Sequence, residues 1–379
     1  MPTADELISP DSIRRLAVIL QEAAPGTSRW RTVADSPTTL GPLGLGERAR
    51  AVADALLADS GNDFERLAHA VRQALSRADL TGWMIWPVTE AVAVAATESG
   101  TGGHFDAGLD LLARLTPRLT GEFALRTFLN ADLDRTLATA LTWTDSPDPA
   151  VRRLASEGSR PKLPWARQVP ELNRNPAATV PLLDRLHTDA SQDVRRSVAN
   201  HLNDISRLDA ELAAGTAARW LRNPEPTTPA LVRHAMRTLV KKGEPAALEL
   251  VGFHGDPGQL SVVGPLLAET AVPLGGTIDF TAHITNVSAG PVSLAIDYVI
   301  HHMKANGKTA PKVFKLTKRS LAPGESAEVR RTHSFRPIST RVYYPGTHAV
   351  HLQINGHEFG LTRFSLGQLE VGKVKPAVT

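Results

Sequence analysis

The sequence predicts a multidomain α-then-β chain: a HEAT-like helical-repeat superhelix followed by an immunoglobulin-like β-sandwich. Three observations predict it. Apolar residues recur at three- and four-residue steps through the first 250 or so positions, a short Val-Arg motif returns about every 40 residues, and a two-residue alternation sets in after Pro257. At 379 residues the chain is long enough for two or three domains. The change of pattern puts the expected boundary between a helical domain 1–256 and a sandwich 257–379.

Helical spacing is clearest in Asp11–Ala24, Gly46–Asp59, Asn62–Arg77, Asp148–Gly158 and Ser191–Ile205. In the last of these Val194, Val198, Leu202 and Ile205 form one stripe, with Ser191 as N-cap and Asp193 complementing the dipole. Asp148-Pro149 is a comparable start signal, a capping side chain before a proline at the first helical position. Val151-Arg152-Arg153 returns as Val194-Arg195-Arg196, and Val232-Arg233-His234 follows. Each stands early in a helix after a polar loop, as stacked helix-pair repeats require. Repetition alone is satisfied by a scaffold.

The sandwich shows as Ile278, Phe280, Ala282 and Ile284, then Leu294, Ile296, Tyr298 and Ile300. Val350, Leu352 and Ile354 lead into the hairpin signal Asn355-Gly356, after which Phe359 and Leu361 should face inward. Ser288-Ala289-Gly290 and Ala322-Pro323-Gly324 supply further turns.

There is no cysteine, which excludes disulfides, thiolate metal sites and a cysteine nucleophile, and suits a reducing cytoplasm. No signal peptide opens the chain and no apolar run approaches a membrane span, so a cytoplasmic protein without membrane contact is expected. Net charge is +3, divided as −2 over residues 1–250 and +5 over residues 251–379. That asymmetry is compatible with DNA but weak as a signal. Lys304, Lys308, Lys312, Lys315, Lys318 and Arg319 crowd one segment of the sandwich. They read either as an exposed basic hairpin that grips DNA or as lysines guarding a sheet edge. His301-His302 point to opposite faces of a strand, so no metal site is expected. Gly41, Gly44 and Gly46 follow no strand, which removes a nucleotide-binding reading. Trp83, Trp86, Trp143 and Trp220 sit at helical core positions.

The block Val151–Trp165 is locally unusual. Its helix should stop at Gly158, leaving Glu157 at the negative end of the dipole, with Arg153 four residues earlier for a surface ion pair. The loop beyond carries Arg160, Lys162 and Trp165, stiffened by Pro161 and Pro164. Two cations and an aromatic beside a carboxylate suit a phosphate backbone and something flat or cationic. On the next repeat Arg196, Asn200, Asn203 and Asp204 make a polar face, which is either an ordinary solvated surface or a site where poor helix formers are kept for function.

LTGEFALRTFL (Leu119–Leu129), VRRLASEGSRPKLPW (Val151–Trp165) and SQDVRRSVANHLNDIS (Ser191–Ser206) together resemble the AlkC branch of the HEAT-like DNA glycosylases. The appended sandwich also resembles those members of that branch which carry a carboxy-terminal immunoglobulin-like domain. The resemblance implies a monofunctional DNA glycosylase of base excision repair. It would excise small cationic alkylated bases, such as 3-methyladenine and 3-methylcytosine, from double-stranded DNA without full base flipping. Glu122, Glu157 and Asp204 would be the carboxylates beside the damaged nucleotide, and Trp165 the aromatic against its sugar.

The chemistry fits those residue types. A cationic base leaves as a neutral molecule without a general acid, and the bond breaks toward an oxocarbenium-like sugar. Fixed negative charge, a positioned water, a carboxylate able to take its proton and an indole face would help. Glu157 is the first candidate, shared with Asp204. Glu122 is third, since it could instead pair with Arg126 at four residues' spacing. Arg152, Arg153, Arg160, Lys162, Arg195 and Arg196, with Asn200 and Asn203, are the candidate DNA contacts. Adjacent helical residues diverge by about 100°, so not all can face DNA. No lysine is placed as a Schiff-base nucleophile, and neither metal nor cofactor is expected. The protein should act as a monomer. The rival expectation is a non-catalytic HEAT scaffold that binds damaged DNA or a protein.

Overall fold

The computed structural model describes residues 3–26, 29–254, 256–338 and 341–367. Two compact units divide the chain, Met1–Ala235 and Met236–Thr379.

The first unit is helical throughout. Its helices start where capping chemistry allows. Ser9 accepts from the Ser12 amide ahead of the helix Pro10–Ala23, Asp63 from Arg66 ahead of Phe64–Ala74, and Asp148 from Ala150 ahead of Pro149–Glu157. Ser191 departs from expectation. Its side chain makes no cap bond to the helix Gln192–Ile205, and its amide instead donates to Asp189 Oδ1. Val194, Val198, Leu202 and Ile205 are buried as the stripe requires. Each such side chain contributes about 1.5–3 kcal/mol relative to exposure.

The recurring motif has a structural meaning. The helices Pro149–Glu157, Gln192–Ile205 and Thr228–Ala235 pack in series, and their Val151, Val194 and Val232 are all buried. The arginine after the first two valines folds back on the loop before its own helix. Arg152 Nη1 donates to the Ser146 and Pro147 carbonyls at 2.8 and 3.1 Å, and Arg195 Nη1 donates to those of Asp189 and Ala190. Both reach back six and five residues, so the repeat conserves a loop-closing arginine along with an apolar anchor.

Among the described residues of the second unit the helices Arg237–Lys242 and Pro245–Leu250 precede eight strands: β1 Leu260–Leu267, β2 Ala271–Val272, β3 Thr277–Asn286, β4 Val292–Met303, β5 Thr309–Leu321, β6 Ser326–Ser334, β7 Gly346–Ile354 and β8 His357–Leu366. They form a three-stranded sheet β1-β3-β6 and a five-stranded sheet β2-β8-β7-β4-β5. The alternating apolar residues of β3, β4 and β7 close the core between them. Asn355 and Gly356 both have positive φ, 43° and 84°, as a two-residue hairpin turn requires. Leu361 does not face inward as the alternation suggested. The register slips between Val350 and Leu352, which leaves Leu361 exposed and hands the core to Phe364 and Leu366. No helix among the described residues is long and apolar enough to cross a membrane.

Candidate active site

A buried polar seam fixes the register of the two helices that carry the principal carboxylates. His201 lies fully inside, with Nδ1 2.8 Å from the Ser156 carbonyl and Nε2 2.9 Å from the Thr179 hydroxyl. Burial first, with the nearby Arg160 and Arg126 charges, lowers its pKa to about 3, so the ring is neutral. A neutral ring here donates from Nδ1 and accepts at Nε2. Ser197 Oγ adds a 3.0 Å bond to Ser156 Oγ. Ser156 precedes Glu157, and His201 precedes Asp204 by less than one turn, so this seam holds the two acids opposite one another.

Between them lies Arg160. Its Nη1 donates to Glu157 Oε1 at 2.6 Å and its Nε to Asp204 Oδ2 at 2.9 Å. Arg160 was expected on the DNA backbone, but it is only 8% exposed and engages both acids from inside. Burial alone would weaken its charge, yet the bonds and charges of Asp204 and Glu157 raise its pKa above the ordinary value. Glu157 itself, expected in a surface pair, is 6% exposed. Arg153 still approaches it, with Nη2 at 3.9 Å from Oε2, but its shorter contact is Nη1 to Glu122 Oε2 at 3.0 Å. Asp204 is buried, and burial pushes its carboxyl up by more than Arg160, Arg207 and the Lys162 amide pull it down. Glu122 and Asp204 thus each give one oxygen to an arginine, and Glu157 both of its own to two arginines, in a single linked cluster.

Glu122 does not pair with Arg126. That arginine is fully buried and donates to three carbonyls of the following loop: Nη1 to Gly158 at 3.1 Å and to Arg160 at 2.6 Å, Nε to Arg167 at 2.9 Å. Its pKa falls to about 10 through burial, so the charge persists at neutral pH. Gly158 ends the helix, but with φ of −68° rather than the left-handed value of a glycine cap. Glycine is needed there for space, since a Cβ would stand 2.5 Å from Leu125 Cδ2. Arg126, Leu125 and the buried Leu163 and Val169 therefore anchor a loop whose tip is Trp165. The indole is 92% exposed on a backbone with φ of +62°. A bulky residue in that region is a strained outlier, and such strain collects at functional sites.

The remaining candidates separate cleanly. Arg152 grips Asp189 through Nε and Nη2 at 2.6 and 3.0 Å, and with Arg195 it serves the loops described above rather than an outer face. Arg196 is exposed and pairs locally with Asp193. Lys162 is half-buried, its amide turned to Asp204. Asn200 is half-buried and Asn203 fully buried, so the polar stretch of this helix is largely interior and not a solvated face.

A niche beside Trp165 was not foreseen. Arg50, Trp86, Glu90, Phe123 and Arg167 line it with the indole. Trp86 stacks on Phe123 at 4.4 Å and donates from Nε1 to Glu90 at 3.2 Å, and burial raises the Glu90 carboxyl despite the charges of Arg167 and Arg50. Trp86 had read as core, because helical spacing shows burial but not what a buried ring adjoins. Among the described residues no group of three His, Asp or Glu side chains is arranged to hold a metal.

Comparison with known proteins bears on this arrangement. Residues 261–368 match the family model for the C-terminal Ig-like domain of the uncharacterised protein YhaZ. Over 254 residues the chain is 37% identical to uncharacterized protein YhaZ of Bacillus subtilis, covering 67% of this chain and 70% of that protein. The Pseudomonas fluorescens alkylpurine DNA glycosylase AlkC, solved bound to DNA containing an abasic site analog, is similar with a TM-score of 0.81 and 31% identity. That match covers 96% of this chain and 99% of the other. On that identity over nearly the whole of both chains, this chain belongs to the AlkC branch of the HEAT-like DNA glycosylases.

Proposed function

We propose that this protein is a monofunctional DNA glycosylase of base excision repair, removing small cationic alkylated bases such as 3-methyladenine and 3-methylcytosine from duplex DNA. The observation that carries this reading is the linked cluster Glu122–Arg153–Glu157–Arg160–Asp204, in the same unit as the exposed, strained Trp165. The arginines fix the positions of the three acids, with Glu157 Oε2 held only by the longer 3.9 Å contact to Arg153. In the reaction the C1′–N bond breaks and its electron pair neutralises the cationic base. Water adds to C1′, and Glu157 or Asp204 takes the water proton, leaving an abasic sugar. Negative charge in a partly desolvated site stabilises the oxocarbenium-like sugar, and the Trp165 indole adds a cation–π contribution. Neutral damaged bases gain little from such a site, and an enzyme working this way has no need to extrude the base fully.

The test is incubation with methylated duplex DNA and analysis of freed bases, comparing wild type with Glu157→Gln. The reading expects release of 3-methyladenine or 3-methylcytosine, a loss of about a hundredfold or more in the variant, and retained DNA binding. If the wild type releases neither base, the enzyme reading falls and the scaffold reading takes its place.

A further inference from the structure

The basic segment of the sandwich is not uniform. Lys318 lies 5.0 Å over the Phe253 ring and the charge of Lys315 acts on the half-buried Asp297, while both lysines remain exposed. β5, which carries both, is the edge strand of its sheet, where lysines discourage strand pairing. Lys304 and Lys312 behave differently. They line a cavity of about 700 Å³ together with His302, Asn306, Arg341 and Tyr344, and among the described residues no carboxylate lines it.

Edge protection does not require what Arg341 does. This residue comes from the segment after β6 and reaches across to the β4–β5 hairpin. Its guanidinium carbon lies 5.8 Å from the Phe314 ring and 5.8 Å from Tyr343, and Nη1 stands 3.3 Å from His302 Nε2. His302 is buried and neutral, its pKa lowered to about 3 by burial and then by Arg341, so Nε2 offers a lone pair to the guanidinium. The arginine is therefore stacked and tethered before any ligand arrives. Its charge, more than burial, lowers the pKa of Lys312. Like charges are held together here without an acid to relieve them among the lining residues.

We propose that this cavity is a phosphate-binding site, with Arg341 as the pre-oriented fork and Lys304 and Lys312 as flanking point charges. Three cations, two from the β4–β5 hairpin and one from the segment after β6, with the Asn306 amide, suit a group with several terminal oxygens better than a planar carboxylate. A DNA phosphodiester and a free phosphate ester share this chemistry. The site stands on the sandwich alone and does not depend on base excision.

The experiment uses the full chain. Inorganic phosphate is titrated against chloride at matched ionic strength, following the His302 ring resonances, and affinity for unmodified duplex DNA is measured with and without phosphate. Saturable phosphate binding is expected, weakened at least tenfold in Arg341→Ala and in Lys312→Ala. Phosphate that also displaces DNA identifies the backbone as source. Phosphate that binds without affecting DNA identifies a free phosphate ester. DNA binding that weakens in both variants, without measurable free phosphate binding, also supports the site and assigns it to the backbone. Lys312 is exposed and Arg341 half-buried, so a circular dichroism melt of each variant separates loss of the site from loss of the fold. The proposal is overturned if phosphate acts no differently from chloride and the variants bind DNA as wild type does, or if phosphate binds equally to wild type and variants.

Discussion

Arg160 Nε donates to Asp204 Oδ2 at 2.9 Å across 44 positions of sequence, while its Nη1 holds Glu157. Arg160→Ala would leave two buried carboxylates without the arginine they share, a loss of about 3–5 kcal/mol. Denaturant unfolding should show it, and base release should fall with it. The salt dependence of DNA binding should stay unchanged, whereas a backbone contact would lower the slope by about one ion. A lower slope at wild-type stability would return Arg160 to the DNA.

Trp165 should behave in the opposite way. At 92% exposure it contributes little packing, so Trp165→Ala should change stability by no more than about 0.5 kcal/mol. Loss of a cation–π contribution of about 1–2 kcal/mol should slow single-turnover base release about 5- to 30-fold. Wild-type rates in the alanine variant would exclude the indole from the reaction.

The paired arginines of each repeat should separate by function. Arg152→Ala removes a nearly buried pair with Asp189 and two loop carbonyl contacts, and should lower stability by about 1–3 kcal/mol. Arg196→Ala removes an exposed local pair and should change stability by less than about 1 kcal/mol. If Arg196 contacts DNA, its loss lowers the salt slope by about one ion. Equal stability losses at both positions would contradict the loop-closing role assigned to Arg152.

Acid should unfold the chain earlier than its carboxylates suggest. His201, His302 and His333 have pKa values lowered by burial to about 3, 3 and 4, against 6.5 when unfolded, and His348 and His351 are lowered as well. Lowered values mean that the unfolded chain binds these protons more readily. The stability is fully present above about pH 6.5 and is lost progressively as pH falls toward the folded values. Glu90, Asp204 and Asp297, raised by burial, work the other way but are three carboxyls against five imidazoles. Calorimetry should show Tm lower at about pH 5 than at about pH 7 by about 5 °C or more. A flat Tm across that interval would mean these rings are not buried in neutral form.

The sequence by itself determined the helical repeats, the alternating strands and the hairpin turn, because periodicity records which face each element buries. It also supplied the three motifs that identify the family and the acids Glu122, Glu157 and Asp204. Only the tertiary structure decided what the charged side chains do. Arg152 and Arg153 are neighbours in sequence, yet one closes a loop and the other bridges Glu122 to Glu157. Arg160 looked like a surface cation until the next repeat brought Asp204 against it. Arg126 looked like a partner for Glu122 until the loop carbonyls were placed over it, and Glu90 gave no signal at all. The physical reason is that a periodic pattern encodes burial along one element. The partner of a charge depends on a neighbouring element tens of residues away, and only folding supplies that neighbour.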